Sequence, residues 1–214
     1  MKLMSASRKN FNAGLIKRSS RVFNITRYLG RVILFFFFHL EIRGIDNLPT
    51  RDGFVLLPKH QRWEDIPLMS LATPRSLYYI AKHELFSNPF TMWFISSLGG
   101  IPLNRKNPLA TRRFLKAVLN CLSEGEGLVL FPEGTYYKRC MGPGKVGMVR
   151  LILSHIAPPF IPVGVRYVKG WLRTSVRINF GRPLYLNEDE TPDFFLERIM
   201  KSIAELSGLA ENNG

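Results

Sequence analysis

A histidine and an aspartate five positions apart are the pair of residues in this sequence best suited to acid–base chemistry. His60 closely follows a short apolar run, residues 53–58, and Asp65 comes five residues later. A neutral imidazole can accept a proton near pH 7, and a carboxylate on its second nitrogen holds the tautomer. Pro67 disfavours helix in the preceding residue, which predicts a turn on which His60 faces Asp65. A surface histidine and a helix-capping aspartate would share this spacing.

A second group of polar residues follows another apolar run, residues 127–131. The segment FPEGT starts at the last residue of this run, so Glu133, Gly134 and Thr135 come directly after a predicted strand. Gly134 permits a close backbone approach, and Thr135 can donate to an anion. Glu133 can accept from a substrate hydroxyl or pair with a cation. These residues should lie at the same sheet edge as His60, although a solvated turn would explain them as well.

A third feature is an arginine at the end of an uncharged stretch. Residues 85–104 carry no charge, and Arg105 follows them. A guanidinium is the side chain that best matches a phosphate, so Arg105 is a candidate anion ligand. The simpler interpretation is one more surface arginine in a basic protein.

The elements that would position these residues alternate between strands and helices. This alternation predicts an α/β fold with a central, mostly parallel sheet flanked by helices. Strands are predicted at residues 38–43, 53–58, 77–81, 127–131, 160–167 and 175–180. Helices are predicted at residues 67–72, 89–98, 111–123, 146–155 and 192–209, with Asn88 and Thr111 as caps. Active sites in such sheets lie in the loops after the carboxyl ends of the strands.

The charge of the chain is strongly positive and unevenly distributed. Lys and Arg number 30 against 16 Asp and Glu, and the net charge is +14. Eight basic residues and no acidic one fall within residues 1–40. Such a field attracts nucleic acid, an anionic membrane or phosphorylated small molecules. The hydrophobic share of 46% excludes a disordered basic tail protein.

The N-terminal region predicts an amphipathic helix, and we divide the chain at residue 40 accordingly. Apolar and basic residues alternate at roughly helical spacing over residues 10–37, which is typical of a membrane-surface helix. A helix packed on its own domain with a solvated basic face is the alternative. We therefore expect a membrane-association segment at 1–40 and a catalytic domain at 41–214.

The remaining sequence features concern the compartment and the membrane. The longest apolar run, residues 32–38, is far shorter than a membrane span. The two cysteines, Cys121 and Cys140, cannot make a disulfide framework, and a reducing compartment is the default. A peripheral or monotopic protein on the cytoplasmic face of an anionic membrane is the expectation.

Four segments resemble, in order, the motifs of the glycerolipid acyltransferases of the lysophosphatidic acid acyltransferase type. His60 and Asp65 match the HX4D motif, and residues 99–105 (GGIPLNR) resemble a Gly-led second motif that ends in arginine. Residues 131–135 match the FPEGT motif without change, and residues 161–165 (IPVGV) resemble the fourth, a proline between aliphatic residues. The order and spacing agree over residues 40–183, and four ordered motifs are a specific signal.

The resemblance implies transfer of a fatty acyl group from acyl-CoA or acyl carrier protein to the hydroxyl of a lysophospholipid. With 1-acyl-sn-glycerol-3-phosphate as the acceptor, the product would be phosphatidic acid. His60 would be the general base and Asp65 would orient it. No cofactor is needed beyond the thioester co-substrate, and the sequence shows no metal-ligand spacing.

The resemblance also implies binding roles for several residues near the two motifs. Arg105 would bind the acceptor phosphate. Lys82 and Lys145 resemble basic positions of the family and are weaker phosphate candidates, because a solvated lysine explains either equally well. Three residues of the FPEGT segment would position the glycerol and phosphate: Glu133, Gly134 and Thr135.

Departures from the family pattern leave the acceptor open. Tyr136 stands where the family commonly has arginine, and Pro102 and Asn104 replace a frequent aromatic and a frequent acid. Glycerol-3-phosphate, another lysophospholipid or a lyso-aminolipid are the alternative acceptors. A non-catalytic basic module for membrane or nucleic acid is the alternative from another class. Nucleic acid is not expected, because the stacking aromatics of an RNA-binding motif are lacking. A thioester hydrolase would usually carry a G-x-S-x-G elbow, which does not occur.

Overall fold

A seven-stranded sheet forms the centre of the computed structural model, which describes residues 19–104 and 108–209. The strand order is β1-β7-β6-β2-β5-β3-β4, and every neighbouring pair is parallel except the antiparallel β6–β7 hairpin. The strand bounds are β1 Phe38–Arg43, β2 Phe54–Pro58, β3 Leu77–Lys82, β4 Gly100–Leu103, β5 Gly127–Val129, β6 Phe160–Lys169 and β7 Thr174–Phe180.

Helices cover both faces of this sheet. Their bounds are α1 Ser20–Phe37, α2 Asp65–Ala72, α3 Pro89–Ser97, α4 Pro108–Ser123, α5 Gly147–Leu153 and α6 Pro192–Ser207. The central strand β2 is buried along its whole length. Its successive side chains point to opposite faces of the sheet, and an apolar core covers each face. Phe54 and Leu56 pack with apolar residues of α1 and α2. Val55 and Leu57 pack on the other face with α4, α5 and α6.

The predicted α/β fold with its mostly parallel sheet is confirmed, and most predicted elements agree to within a few residues. Strand β1 has the predicted bounds, and the side-chain oxygen of Asn88 accepts from the N–H of Thr91 at 2.8 Å, as a cap should. Two predictions are wrong in detail. Thr111 lies inside α4 rather than at its cap. Strand β4 was not predicted, because Gly99, Gly100 and Pro102 are typical of a turn; at a sheet edge, proline is tolerated.

The N-terminal helix α1 runs directly into strand β1. The predicted division at residue 40 therefore falls inside a strand that pairs with β7 along its length. Phe23 and Leu34 of α1 are buried against the domain, and Arg27 donates a hydrogen bond to the carbonyl of Thr73. Helix α1 thus packs on the domain by one face, as the alternative interpretation expected. Residues 1–18, also assigned to the membrane segment, lie outside the described residues.

The opposite face of α1 is apolar as well as basic, and it is open to solvent. Arg21 and Arg31 are exposed on this helix. Eight large apolar residues of the helix are also exposed: Ile25, Tyr28, Leu29, Val32, Ile33, Phe35, Phe36 and Phe37. None of the helices in the described part of the chain combines the length and apolar character needed to cross a bilayer.

A close approach of α6 to β6 supplies a test of the packing. A Cβ at Gly164 would overlap the backbone of Leu206, which cannot swing away as a side-chain end could. We expect Gly164→Ala to lower the free energy of unfolding by about 2 to 3 kcal/mol, as overpacking does. Gly147→Ala is the matched control, because open space surrounds that position and its φ is not positive. Urea denaturation of both variants checks this, and equal stabilities would contradict the packing described.

Candidate active site

The imidazole of His60 and the carboxylate of Asp65 meet beyond the carboxyl end of the central strand β2. Nδ1 of His60 lies 3.0 Å from Oδ2 of Asp65, and both residues are buried. Asp65 is the first residue of α2, so a short loop brings the two side chains face to face. An ionised carboxylate only accepts hydrogen bonds, so Nδ1 carries the proton. The second ring nitrogen, Nε2, is then the one that can take a proton from a substrate.

The Asp65 carboxylate is held in place by donors on both of its oxygens. Oδ2 accepts from the backbone N–H of Gln61 at 2.6 Å and from that of Arg62 at 2.8 Å. Oδ1 accepts from the hydroxyl of Tyr167 at 2.6 Å. Asp65 is therefore not the exposed helix cap of the simpler interpretation. It closes the loop that carries His60 and orients the imidazole.

Tyr167 is a positioning residue that the sequence analysis did not identify. Burial raises the pKa of its hydroxyl, and the neighbouring Asp65 charge raises that pKa further. The hydroxyl therefore stays protonated and continues to donate to Asp65 through alkaline pH. Tyr167 lies 102 positions after Asp65, so no local spacing in the sequence could have paired the two residues.

A buried ion pair joins the His60 loop to the FPEGT segment. Nζ of Lys59 lies 2.8 Å from both carboxylate oxygens of Glu133, and neither side chain is exposed. Oε1 of Glu133 also accepts from the backbone N–H of His60 at 3.1 Å, and Oε2 accepts from that of Gly142 at 2.7 Å. Lys59 makes a further bond to the carbonyl of Tyr137 at 2.7 Å. Every oxygen of this carboxylate is thus bonded within the protein.

The predicted role of Glu133 in substrate binding is therefore wrong for this structure. Its carboxylate is enclosed and already bonded to Lys59 and two backbone amides, so a substrate hydroxyl cannot reach it. The other interpretation of Glu133, as the partner of a cation, is the one that the structure supports. Lys59, like Tyr167, belongs to this cluster of side chains but was not predicted from the sequence. A lysine directly before the histidine, at the end of a buried strand, was the available signal.

Two aromatic rings flank the imidazole. The ring of Phe131 stacks on His60 with centroids 3.7 Å apart and an angle of 23° between planes. The ring of Tyr136 lies 4.4 Å away at 55° and is half exposed. Both rings come from the FPEGT region, so this segment shapes the surroundings of the base directly.

Four of the other predicted binding residues lie along the same edge of the sheet: Gly134, Thr135, Lys145 and Lys82. Gly134 and Thr135 are exposed, and a Cβ at Gly134 would lie 2.9 Å from Nζ of Lys145. These three residues are therefore grouped beside the FPEGT turn. Gly134 has a φ of +66°, a conformation that favours glycine.

Lys82 ends β3 and is exposed, two strands away from the strand that leads to His60. It pairs in register with Leu103 of β4, so the parallel β4 ends at the same edge. The predicted phosphate ligand Arg105 comes two residues later and lies outside the described residues. Its role stays a prediction.

The buried pair of Lys59 and Glu133 makes a testable contribution to stability. We expect Lys59→Met to lower the free energy of unfolding by about 3 to 5 kcal/mol, because it leaves a buried carboxylate without a counter-ion. The double variant with Glu133→Gln should recover part of this loss. Asp193→Asn breaks the exposed pair with Arg150 and should cost less than about 1 kcal/mol. Equal losses for Lys59→Met and Asp193→Asn in urea denaturation would contradict the proposed importance of the pair.

Comparison with known proteins places these features in a family. The sequence model of the family described as "Acyltransferase" matches residues 39–166. The chain is 30% identical over 147 residues to 1-acyl-sn-glycerol-3-phosphate acyltransferase of Streptococcus pneumoniae, covering 67% of this chain and 54% of the relative. It is 31% identical over 209 residues to the chloroplastic enzyme of that name from Brassica napus. This alignment covers 91% of this chain and 59% of the relative. The chain thus spans only a little over half the length of these curated relatives.

A solved structure shares the fold. The crystal structure of the 1-acyl-sn-glycerophosphate (LPA) acyltransferase PlsC from Thermotoga maritima aligns with a TM-score of 0.61 at 24% sequence identity. The alignment covers 86% of this chain and 79% of that one. The family match runs from β1 to β6 and includes the His60–Asp65 pair, the Lys59–Glu133 pair and the FPEGT turn. On this evidence, the chain belongs to the acyltransferase family.

Proposed function

We propose that this protein transfers a fatty acyl group from an acyl thioester to the free hydroxyl of 1-acyl-sn-glycerol-3-phosphate and so makes phosphatidic acid. The observation that carries the proposal is the His60–Asp65 pair, with Nδ1 of the imidazole 3.0 Å from the carboxylate and Nε2 left to act as the base. The names of the curated relatives support the choice of acceptor. The donor is acyl-CoA or acyl carrier protein.

In the proposed reaction, Nε2 of His60 takes the proton of the acceptor hydroxyl as its oxygen attacks the thioester carbonyl carbon. The new ester C–O bond forms and the C–S bond breaks. The departing thiolate takes up the proton that His60 had accepted. Asp65 keeps the imidazole in the required tautomer and stabilises the transient imidazolium. The bonds formed and broken and the proton transfers balance in this scheme without a metal, a cofactor or a covalent enzyme intermediate. Neither cysteine has a role in it.

The anionic part of the acceptor is proposed to lie along the exposed end of the sheet. Gly134 and Thr135 are accessible in the turn between Phe131 and Tyr136, whose rings flank His60, and Lys145 lies against Gly134. Lys82 extends this basic edge at the end of β3, and Arg105 follows in the chain two residues after the end of β4. A phosphate there would be bound by charge-assisted hydrogen bonds, while the acceptor hydroxyl reaches the base.

We also propose that the protein works at the surface of an anionic membrane. The exposed face of α1 combines apolar side chains with Arg21 and Arg31, which suits the interface of a bilayer with anionic headgroups. Helix α3 exposes Phe90, Met92 and Trp93. Both proposed substrates carry acyl chains, so an enzyme that meets them at a membrane surface needs such faces.

Replacement of the base tests the mechanism. We expect His60→Ala to lower acyl transfer by at least about 10²- to 10⁴-fold, the usual contribution of a general base. Binding to vesicles should be unchanged, because the imidazole is buried among Asp65, Phe131 and Tyr136. His155→Ala is the matched control, since this histidine is exposed on the surface after α5. Substantial residual transfer by His60→Ala would refute the assignment of the base.

The acceptor is tested by replacing the proposed phosphate ligand. We expect Arg105→Ala to raise the KM for 1-acyl-sn-glycerol-3-phosphate by about 10- to 100-fold, the effect of one lost hydrogen bond to a charged group. The kcat should change much less. Arg150→Ala, on the exposed surface of α5, is the control.

The assay should include glycerol-3-phosphate and uncharged lyso-lipids as acceptors, read by mass spectrometry. The ring of Tyr136 lies beside that of His60, at a position where the family commonly has arginine. The panel tests whether this departure goes with a different acceptor. An unchanged KM in Arg105→Ala would place the phosphate elsewhere. A preference for an acceptor without phosphate would overturn the proposed substrate.

A further inference from the structure

The tip of the β6–β7 hairpin presents two large apolar side chains to solvent. Trp171 is 96% exposed and Leu172 is 82% exposed, more than any other large apolar residue of the described chain. Lys169 and Arg173 flank them as cations. An indole between cations is typical of the boundary between bilayer and water. A water-exposed indole in a monomeric protein would otherwise be unfavourable.

The hairpin tip lies beside the carboxyl end of α1. Nη1 of Arg173 donates to the carbonyl of Phe35 at 3.0 Å, and its guanidinium lies 4.9 Å from the centre of the Phe35 ring. Phe35, Phe36 and Phe37 are each exposed by more than half. The tip therefore lies next to the end of α1, and the exposed apolar residues of the two segments are here called the apolar edge surface: Phe35, Phe36, Phe37, Trp171 and Leu172.

Strand topology places the apolar edge surface at the catalytic edge of the sheet. Strand β6 runs parallel to β2, and Val163 pairs with Pro58, the last residue of β2. From Val163, β6 continues to Lys169, which is about 20 Å at the usual rise of a strand. The hairpin thus projects past the end of β2, on the side where His60 lies. Tyr167, within this projecting part, holds Asp65 at 2.6 Å.

We propose that the hairpin tip inserts Trp171 and Leu172 into the interface of an anionic bilayer and so turns the catalytic edge towards the lipid. This inference rests on the membrane location in the proposed function and adds a second contact to α1. Two contacts at one edge define an orientation, whereas a single helix leaves rotation about its axis free. The cations beside the tip select an anionic surface over a neutral one.

The fluorescence of Trp171 tests this insertion directly. The chain has three tryptophans, so the double variant Trp63→Phe/Trp93→Phe leaves Trp171 as the only indole. We expect its emission to shift to the blue on vesicles of phosphatidylglycerol and phosphatidylcholine, and much less on phosphatidylcholine alone. Lipids brominated near the glycerol end of the acyl chain should quench it more strongly than lipids brominated near the methyl end.

Vesicle co-sedimentation of the full chain measures what the tip contributes. We expect Trp171→Ser/Leu172→Ser to weaken partitioning onto anionic vesicles about 10-fold or more, because two large apolar side chains no longer enter the interface. The matched control is Phe194→Ser. Phe194 is 64% exposed, but it lies at the start of α6, where the adjacent Phe195 packs on Phe160, the first residue of β6. The control site is thus at the opposite edge and should not affect binding.

Three results would overturn the proposal. Trp171 emission that is unchanged while the protein sediments with vesicles would show that α1 binds without the hairpin. Equal losses for Phe194→Ser and the tip variant would show a non-specific effect. A blue shift that depends on protein concentration without vesicles would assign the surface to a second copy of the chain. None of these readouts uses turnover, so acyl transfer assayed with detergent-dispersed acceptor tests the proposed function separately.

Discussion

The buried ion pair between Lys59 and Glu133 connects the two chain segments on which the candidate site depends. One partner precedes the base in sequence, and the other lies in the FPEGT turn, 74 positions away. Two charges without solvent are costly unless all their bonding capacity is met. Here the carboxylate bonds the lysine and the amides of His60 and Gly142, and the lysine also bonds a carbonyl. The loops are therefore held in one arrangement, because alternatives would leave a buried charge unpaired.

The orientation of the His60 imidazole follows from this arrangement. The ion pair fixes the backbone at His60, while Asp65 fixes the ring through Nδ1. Asp65 is in turn held by two amides and by Tyr167. Phe131 and Tyr136 flank the imidazole and limit its rotation. An imidazole positioned from several directions would lose little entropy when a hydroxyl arrives, which the proposed acid–base catalysis requires.

The parallel strands of the sheet bring the loops of the candidate site to one edge of the molecule. Strands β2, β3, β4, β5 and β6 all point their carboxyl ends the same way, so the loops that follow them share an edge. That edge carries His60, the FPEGT turn, Lys82 and Lys145, and the apolar edge surface projects beyond it. Chemistry and the proposed membrane contact therefore lie on one side of the protein. A lipid substrate at a bilayer surface would need this arrangement to reach the base without leaving the interface.

Much of the fold could be predicted because its signals are local. Continuous apolar runs bounded by turn residues indicated most strands, and β1 has the predicted bounds. Strand β4 was missed because an edge strand with proline and glycine looks like a turn in sequence. The charge pattern likewise indicated a basic amphipathic helix near the N-terminus. It could not reveal that Phe23 and Leu34 pack on the domain while a second apolar face stays exposed.

Motif spacing and apolar runs are properties of neighbouring residues, so they were sufficient to identify the residues suited to acid–base chemistry and to place them after predicted strands. The folded structure was needed to establish that Glu133 pairs with Lys59 rather than facing a substrate, and that Tyr167 reaches Asp65. It also decided that the hairpin tip lies beside α1 at the catalytic edge. These contacts join residues far apart in the chain. Strand order and register bring them together, and no local pattern encodes either one.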